Sequence, residues 1–180
     1  MPQKTIHESF KEIFENAQNH KLPRFSELPE IDLYMDQIIV VMEKYLSIYS
    51  QVFEGKIITP AIINNYVKLK IIPAPVMKKY SKVHIAYLIV ICLLKQTLPI
   101  KSIVDMINLG LEQTEIGTLY DTFCDFYEMT IKDASIKALK KVEVEQQQLY
   151  SAYSELTISS AVSSTVGRFI CENILKLNEK

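Results

Sequence analysis

Residues 58–88, ITPAIINNYVKLKIIPAPVMKKYSKVHIAYL, contain the pattern on which the fold prediction rests. Thr59 can cap a helix that begins at Pro60, because its hydroxyl accepts an unpaired backbone N–H and proline at the first helical position lacks only an N–H that has no partner there. Apolar residues at helical spacing then predict a short helix over about 60–69. The prolines at 73 and 75 prevent its continuation and predict an extended, turned segment.

Two further helices follow this segment. Ser81 can cap a helix over about 82–95, whose run VHIAYLIVICLL predicts burial on nearly all sides. These twelve residues are fewer than the ~20 that a membrane-spanning helix needs. A shorter helix is predicted to begin at Pro99, to run to about Asn108 and to be terminated by Gly110.

The lysine content of residues 55–104 is the strongest functional signal in the sequence. This segment contains eight lysines and no Asp or Glu. Residues 1–54 carry five Lys and Arg against nine Asp and Glu, and residues 105–180 carry seven against twelve. The formal net charge of −1 therefore hides a basic block between two acidic ones. Charge segregated in this way predicts a surface that binds an anion.

The chain before the basic block predicts two helices joined by an extended crossing. Residues 5–19 have the apolar spacing of an amphipathic helix. Prolines at 23 and 29 predict the extended crossing. Three apolar side chains are its expected anchors: Leu22, Phe25 and Leu28. Asp32 is predicted to cap a long helix over about 33–50.

The chain after the basic block also predicts helices. Apolar residues at three- and four-residue spacing predict a helix over about 113–130, and residues 131–153 continue this pattern with sparser apolar positions. Thr157 is predicted to cap the last helix, whose apolar face is rich in small residues that allow close helix packing. Because no stretch outside the Pro-containing segment shows the alternation typical of strands, the predicted fold class is all-α.

The order of these elements and four short motifs resemble the DNA-binding domain of MerR-type winged helix-turn-helix regulators. Residues 62–66, IINNY, stand at the recognition-helix pattern of that family, and residues 70–73, KIIP, at the exit of the helix. Residues 78–81, KKYS, match the end of the wing, and residues 98–103, LPIKSI, the turn that follows. With LPRFSELPEIDLYMDQ at 22–37, the segment resembles more closely still a bacterial family of MerR-like proteins known as a domain of unknown function.

The resemblance implies a MerR-like helix-turn-helix with a short wing and flanking N- and C-terminal helices. It also implies double-stranded DNA as the partner, with the helix over 60–69 in the major groove, and a homodimer. Asn64 stands where the family usually has arginine, and its amide suits an adenine edge. Lys70 stands where the family usually has glycine, which predicts that the helix does not leave through a left-handed residue.

Ten side chains at these motifs carry a hydroxyl, amide or ammonium group and are the predicted DNA contacts: Thr59, Asn64, Asn65, Tyr66, Lys68, Lys70, Lys78, Lys79, Tyr80 and Lys82. Tyr66 shares the apolar spacing of its helix, so its ring is expected in the core with only its tip at a phosphate. His84 is expected at the surface, with or without a phosphate contact.

Three parts are predicted along the chain. They are an N-terminal helix and linker over 1–31, a helix-turn-helix domain over 32–110, and a helical part over 111–180 for dimerisation or effector binding, with the effector left open. The main rival is a helical interaction module that keeps the scaffold and binds a protein partner through its basic face.

Other classes of protein find little support in the sequence. No nucleophile with a recognisable partner, Gly-rich loop or metal-ligand spacing is present, so neither catalysis nor a cofactor or metal is expected. Three cysteines, an odd number without a CxxC motif, predict free thiols in a reducing compartment. The charged, helical first residues do not resemble a signal peptide. A cytoplasmic protein without membrane contact is therefore expected.

Overall fold

The described part of the chain is mainly helical. The computed structural model describes residues 5–50, 52, 55–144 and 149–178. Seven α-helices lie within this part: α1 Ile6–Gln18, α2 Met35–Tyr45, α3 Pro60–Lys68, α4 Lys82–Leu94, α5 Ile100–Leu111, α6 Ile116–Val144 and α7 Leu149–Asn178. Two 3-10 turns, Phe25–Glu27 and Ser47–Tyr49, lie between them. The predicted all-α class is therefore confirmed.

The chain forms two compact units. The larger unit contains residues 22–124 and the end of α7 from residue 174 onward, and so includes α2 to α5 and the basic block. The smaller unit contains α1, residues 125–144 of α6 and α7 up to residue 173.

Helix α4 forms the centre of the larger unit. Eight of its thirteen residues are buried, and Leu88 and Ile89 are fully inaccessible to solvent. The helix packs against α2 and α5, and α2 in turn packs against α3. The sequence-based prediction of a helix buried on nearly all sides is confirmed. Burial of this continuous apolar run is the main hydrophobic contribution to the unit.

The start of α3 follows from local signals. Thr59 has an extended backbone, and its hydroxyl accepts a hydrogen bond from the N–H of Ile62 at 3.2 Å. Pro60 occupies the first helical position, as predicted. This cap fixes the direction in which α3 leaves the preceding loop.

The prediction that Asp32 caps a helix over 33–50 is wrong. Helix α2 begins at Met35, and the Gln37 side chain accepts a hydrogen bond from the Tyr34 N–H at 2.8 Å. Leu33 cannot join this helix because it exchanges two backbone hydrogen bonds, of 2.9 and 2.8 Å, with Tyr80. A pairing between residues far apart in sequence therefore overrides the local capping signal.

Two other predicted helix limits are also wrong. Gly110 lies inside α5, where a Cβ would sit 2.5 Å from Leu119 Cδ1, so glycine serves close packing rather than helix termination. Thr157 lies inside α7, and its hydroxyl donates to the Tyr153 carbonyl at 2.8 Å. Helix α6 is continuous up to Val144, which agrees with the predicted helix over about 113–130 and its predicted helical continuation.

The segment before α2 is anchored on α6. Leu22 and Leu28 are buried, as expected, whereas Phe25 is only partly buried and begins a 3-10 turn. The Asp121 carboxylate accepts the Phe25 N–H at 2.7 Å, and the Tyr120 hydroxyl donates to the Pro23 carbonyl at 2.9 Å. These bonds satisfy backbone groups that the extended segment leaves unpaired.

Candidate nucleic-acid interface

Helix α3 presents a polar face to solvent. Ile63 and Tyr66 are buried against the core, whereas Asn64, Asn65 and Lys68 are exposed on the other side. Neither asparagine amide makes a hydrogen bond to any described residue. Three of the predicted contacts therefore share one accessible helix face, with donors and acceptors available for a partner.

The exit of α3 differs from the prediction. Lys70 has a φ of 56°, in the left-handed region, and its N–H donates to the Val67 carbonyl at 3.0 Å. The Ile71 N–H donates to the Tyr66 carbonyl at 2.9 Å. These two bonds define a Schellman motif, in which the left-handed position is usually glycine. The helix thus leaves through a left-handed residue although that residue is lysine.

We expect Lys70→Gly to raise the free energy of unfolding by about 0.5–1 kcal/mol, because glycine adopts positive φ without the steric cost of a Cβ. Lys68→Gly, inside the same helix, should lower it by about 0.5–1 kcal/mol. Urea titrations followed by circular dichroism measure both. A loss of stability in the Lys70→Gly variant would contradict the left-handed assignment.

A tight turn follows at residues 76–79. Val76 and Lys79 exchange backbone hydrogen bonds of 3.1 and 2.9 Å, and the two residues between them, Met77 and Lys78, have φ values of 49° and 63°. Two successive positive φ values are typical of two-residue turns between antiparallel strands, which favour Asn and Gly. Met77 is 88% exposed, so no packing explains this conformation. Unfavourable backbone geometry of this kind concentrates at functional sites.

The lysines of the basic block differ in their partners. Three of them donate to oxygen atoms at 2.8–3.0 Å: Lys82 to Glu30, Lys95 to the Ile57 carbonyl, and Lys101 to Asp105. Lys79 lies 5.2 Å from the centroid of the Tyr34 ring. By contrast, the ammonium groups of Lys68, Lys70 and Lys78 have no ion-pair, hydrogen-bond or ring partner within the described residues. Their charges remain available to an anion.

The two predicted tyrosine contacts lie mainly behind this surface. Tyr66 is 6% exposed and Tyr80 is 3% exposed. Burial raises the pKa of Tyr66 to about 12 and also raises the pKa of Tyr80, so both remain neutral phenols at physiological pH. Their position suits them to hold α3 and the residue 76–79 turn in place.

His84 is buried, so the expectation of a surface histidine is wrong. Its Nδ1 accepts the Ser81 N–H at 3.0 Å, and its ring packs edge-on against Tyr80 with the centroids 5.3 Å apart. Burial lowers the pKa of His84, although the nearby carbonyls of Ala74 and Pro73 act in the opposite direction. A neutral imidazole therefore caps the start of α4, a role that the sequence interpretation missed.

The structure also contains a cleft that the sequence interpretation did not identify. It has a volume of about 550 Å³, lies beside the exit of α3 and is lined by apolar side chains with Lys68, Lys70, Tyr87 and Asn108. Tyr87 carries a hydroxyl within the apolar run of α4, which was the available signal in the sequence.

Within the described part of the chain, no group of three or more His, Cys, Asp or Glu side chains is arranged to hold a metal ion. In those same ranges no helix has both the length and the apolar character needed to cross a bilayer.

The fold and this surface define an all-helical protein with an exposed, basic helix face. The family described as a domain of unknown function (DUF1836) matches residues 23–123, which is more than half of the chain and includes α2 to α5. The chain belongs to this family. The resemblance to a domain-of-unknown-function family is thereby confirmed. No curated protein and no solved structure matches the chain significantly.

Proposed function

We propose that the protein is a cytoplasmic DNA-binding protein, with a MerR-like helix-turn-helix, that acts as a transcriptional regulator. The observation that carries this proposal is the exposed face of α3, where Asn64, Asn65 and Lys68 have no partner within the described residues. An α-helix fits the major groove of duplex DNA, and asparagine amides can form paired hydrogen bonds with an adenine edge.

The lysines without partners supply the electrostatic part of the proposed interaction. Lys68 and Lys70 lie at the end of α3, and Lys78 lies in the residue 76–79 turn. Because no described residue neutralises these charges, DNA phosphates can do so with release of bound cations. Lys82, which is paired with Glu30, then contributes less than the sequence indicated.

Buried residues give this surface its shape. Thr59 fixes the start of α3, and the backbone pairing of Tyr80 with Leu33 fixes the chain after the turn. Because the backbone is fixed at the start of α3 and after the turn, binding costs less conformational entropy. We assign Thr59, Tyr66 and Tyr80 this positioning role.

We also propose that the protein binds DNA as a homodimer. One helix in one major groove contacts few base pairs, and two copies related by a two-fold axis would read two half-sites. The effector of such a regulator is left open.

The second candidate function is a protein-interaction module built on the same scaffold. Leu69, Val76 and Met77 are 59%, 69% and 88% exposed among the lysines, and exposed apolar side chains are typical of protein-binding surfaces. The connection between α2 and α3, residues 46–59, is also longer than the three- or four-residue turn of a helix-turn-helix.

The test is fluorescence anisotropy with a random duplex at about 50 and 200 mM salt. With three phosphate contacts per protomer, and six in the proposed dimer, affinity should fall by about 1,000-fold between these concentrations. The double variant Lys68→Ala, Lys78→Ala should reduce the slope of log affinity against log salt by about two per protomer. The matched control Lys132→Ala, Lys137→Ala removes the same charge from exposed positions of α6 and should bind like wild type.

Base recognition requires a selected DNA site. Asn64→Ala should leave binding to the random duplex unchanged and weaken binding to the selected site by about 1–3 kcal/mol. Absence of binding at about 50 mM salt by a protein with wild-type circular dichroism would overturn the DNA proposal and favour the protein-interaction module.

A further inference from the structure

The middle of α7, residues 157–170, has no packed side. Every residue from Thr157 to Ile170 is exposed, whereas Ala152, near the start of the same helix, is fully buried. An isolated helix of this length is marginally stable in water and usually depends on tertiary packing. The segment therefore lacks the contacts that normally maintain a helix.

Large apolar residues lie on one side of this segment. Ile158, Val162, Val166, Phe169 and Ile170 are 61%, 56%, 49%, 68% and 52% exposed. At 100° per residue these five side chains fall within about 120° of the helix circumference, which is the width of a buried face. We call this surface the α7 stripe.

The α7 stripe has the composition of a self-complementary surface. Residues 156–167, LTISSAVSSTVG, contain no charged side chain, so two copies can meet without like-charge repulsion. Ser159 lies within the same arc and Ser163 about 20° beyond its edge, and small side chains let two helices approach closely. Ile158 and Phe169 are separated by eleven residues, which places them within about 20° of each other around the helix, and an eleven-residue period favours a right-handed supercoil of paired helices.

The available area agrees with a dimer interface. Each of the five side chains exposes on the order of 100 Å², so the α7 stripe alone supplies about 500 Å² per protomer. Adjacent serine and threonine surface brings the total for two copies close to the ~1,200–2,000 Å² of a specific interface.

We infer that the α7 stripe is a dimer interface whose partner is the same stripe of a second copy of this chain. The inference rests on the proposed homodimer and names the surface that forms it. The contact is isologous, so each residue of one protomer meets the same patch of the other across a two-fold axis.

Sedimentation velocity at micromolar concentration tests the inference. Wild type is expected to be a dimer, and the double variant Val162→Glu, Val166→Glu a monomer, with association weakened at least tenfold. The matched control Ser160→Glu, Ser164→Glu places the same pair of charges, four residues apart, on the opposite side of α7 and should remain a dimer. All these side chains are exposed, and circular dichroism of each variant measures whether its helices are retained.

Three results would overturn the inference: a wild-type monomer, a dimer that survives both double variants, or a dimer disrupted equally by both. A wild-type monomer that sediments with neutral phosphatidylcholine vesicles would assign the α7 stripe to a lipid surface instead.

A further experiment separates the α7 dimer interface from the proposed DNA binding. It measures salt-dependent binding of the monomeric Val162→Glu, Val166→Glu variant to a random duplex. DNA binding without dimerisation leaves the proposed DNA interaction standing, and dimerisation without DNA binding leaves the α7 stripe standing.

Discussion

Leu88→Ala is expected to lower the free energy of unfolding by about 2–5 kcal/mol, because it removes buried methyl groups and leaves a cavity at the centre of α4. Leu88 is fully inaccessible to solvent, and it lies on a helix that packs against both α2 and α5. The loss is a large fraction of the ~5–15 kcal/mol that stabilises a typical domain. Urea titration followed by far-ultraviolet circular dichroism measures the change in midpoint.

Leu94→Ala is the matched control for this experiment. The substitution is the same and lies in the same helix, but Leu94 is the last residue of α4 and is only partly buried. We expect a loss of about 1 kcal/mol, since fewer contacts and less cavity volume are involved. Equal losses at the two positions would contradict the greater burial of Leu88.

Asp121→Ala is expected to lower the free energy of unfolding by about 1–3 kcal/mol, because the Phe25 N–H loses its acceptor in a partly buried site. The carboxylate of Asp121 accepts this N–H at 2.7 Å, and the backbone carbonyl of Asp121 accepts from Arg24 Nη1 at 3.0 Å. Only the first bond depends on the side chain. The substitution should therefore loosen the crossing segment without removing its other contacts.

Asp121→Asn separates hydrogen bonding from charge, because it keeps an acceptor oxygen at the same position. We expect it to retain most of the stability that Asp121→Ala loses. Amide hydrogen exchange at Phe25 gives a local readout, with faster exchange in the alanine variant than in the asparagine variant. Unchanged exchange in both variants would contradict the assigned bond.

Local signals predicted the elements around the basic block. Thr59 and Pro60 together define the start of α3, and the apolar run after Ser81 defines α4 and its burial. These predictions succeeded because helix caps and hydrophobic periodicity depend on residues a few positions apart. Asp32 failed as a cap for the opposite reason, since Leu33 pairs with Tyr80, a residue far away in sequence within the basic block.

The sequence could identify the lysines of the candidate site. It could not show which of them are paired or which have a left-handed backbone. Lys82 looks like Lys78 in sequence, yet a carboxylate 52 residues away pairs with it. The left-handed conformation of Lys70 was missed because non-glycine residues rarely adopt it. Its cause is the pair of backbone bonds that end α3. Partner choice depends on tertiary contacts, which a local pattern does not contain, and left-handed lysines depart from the residue preferences on which a local pattern relies.

The left-handed lysines also have a consequence for protein engineering. Lys70 and Lys78 combine a conformation that favours glycine or asparagine with an ammonium group that no described residue neutralises. A selection for heat tolerance alone should therefore enrich glycine at these two positions, whereas a selection for anion binding should retain lysine. Variants from the first selection are expected to be more stable to heat and to bind the anion more weakly. The segment between α3 and α4 is thus where thermal robustness and recognition are expected to compete.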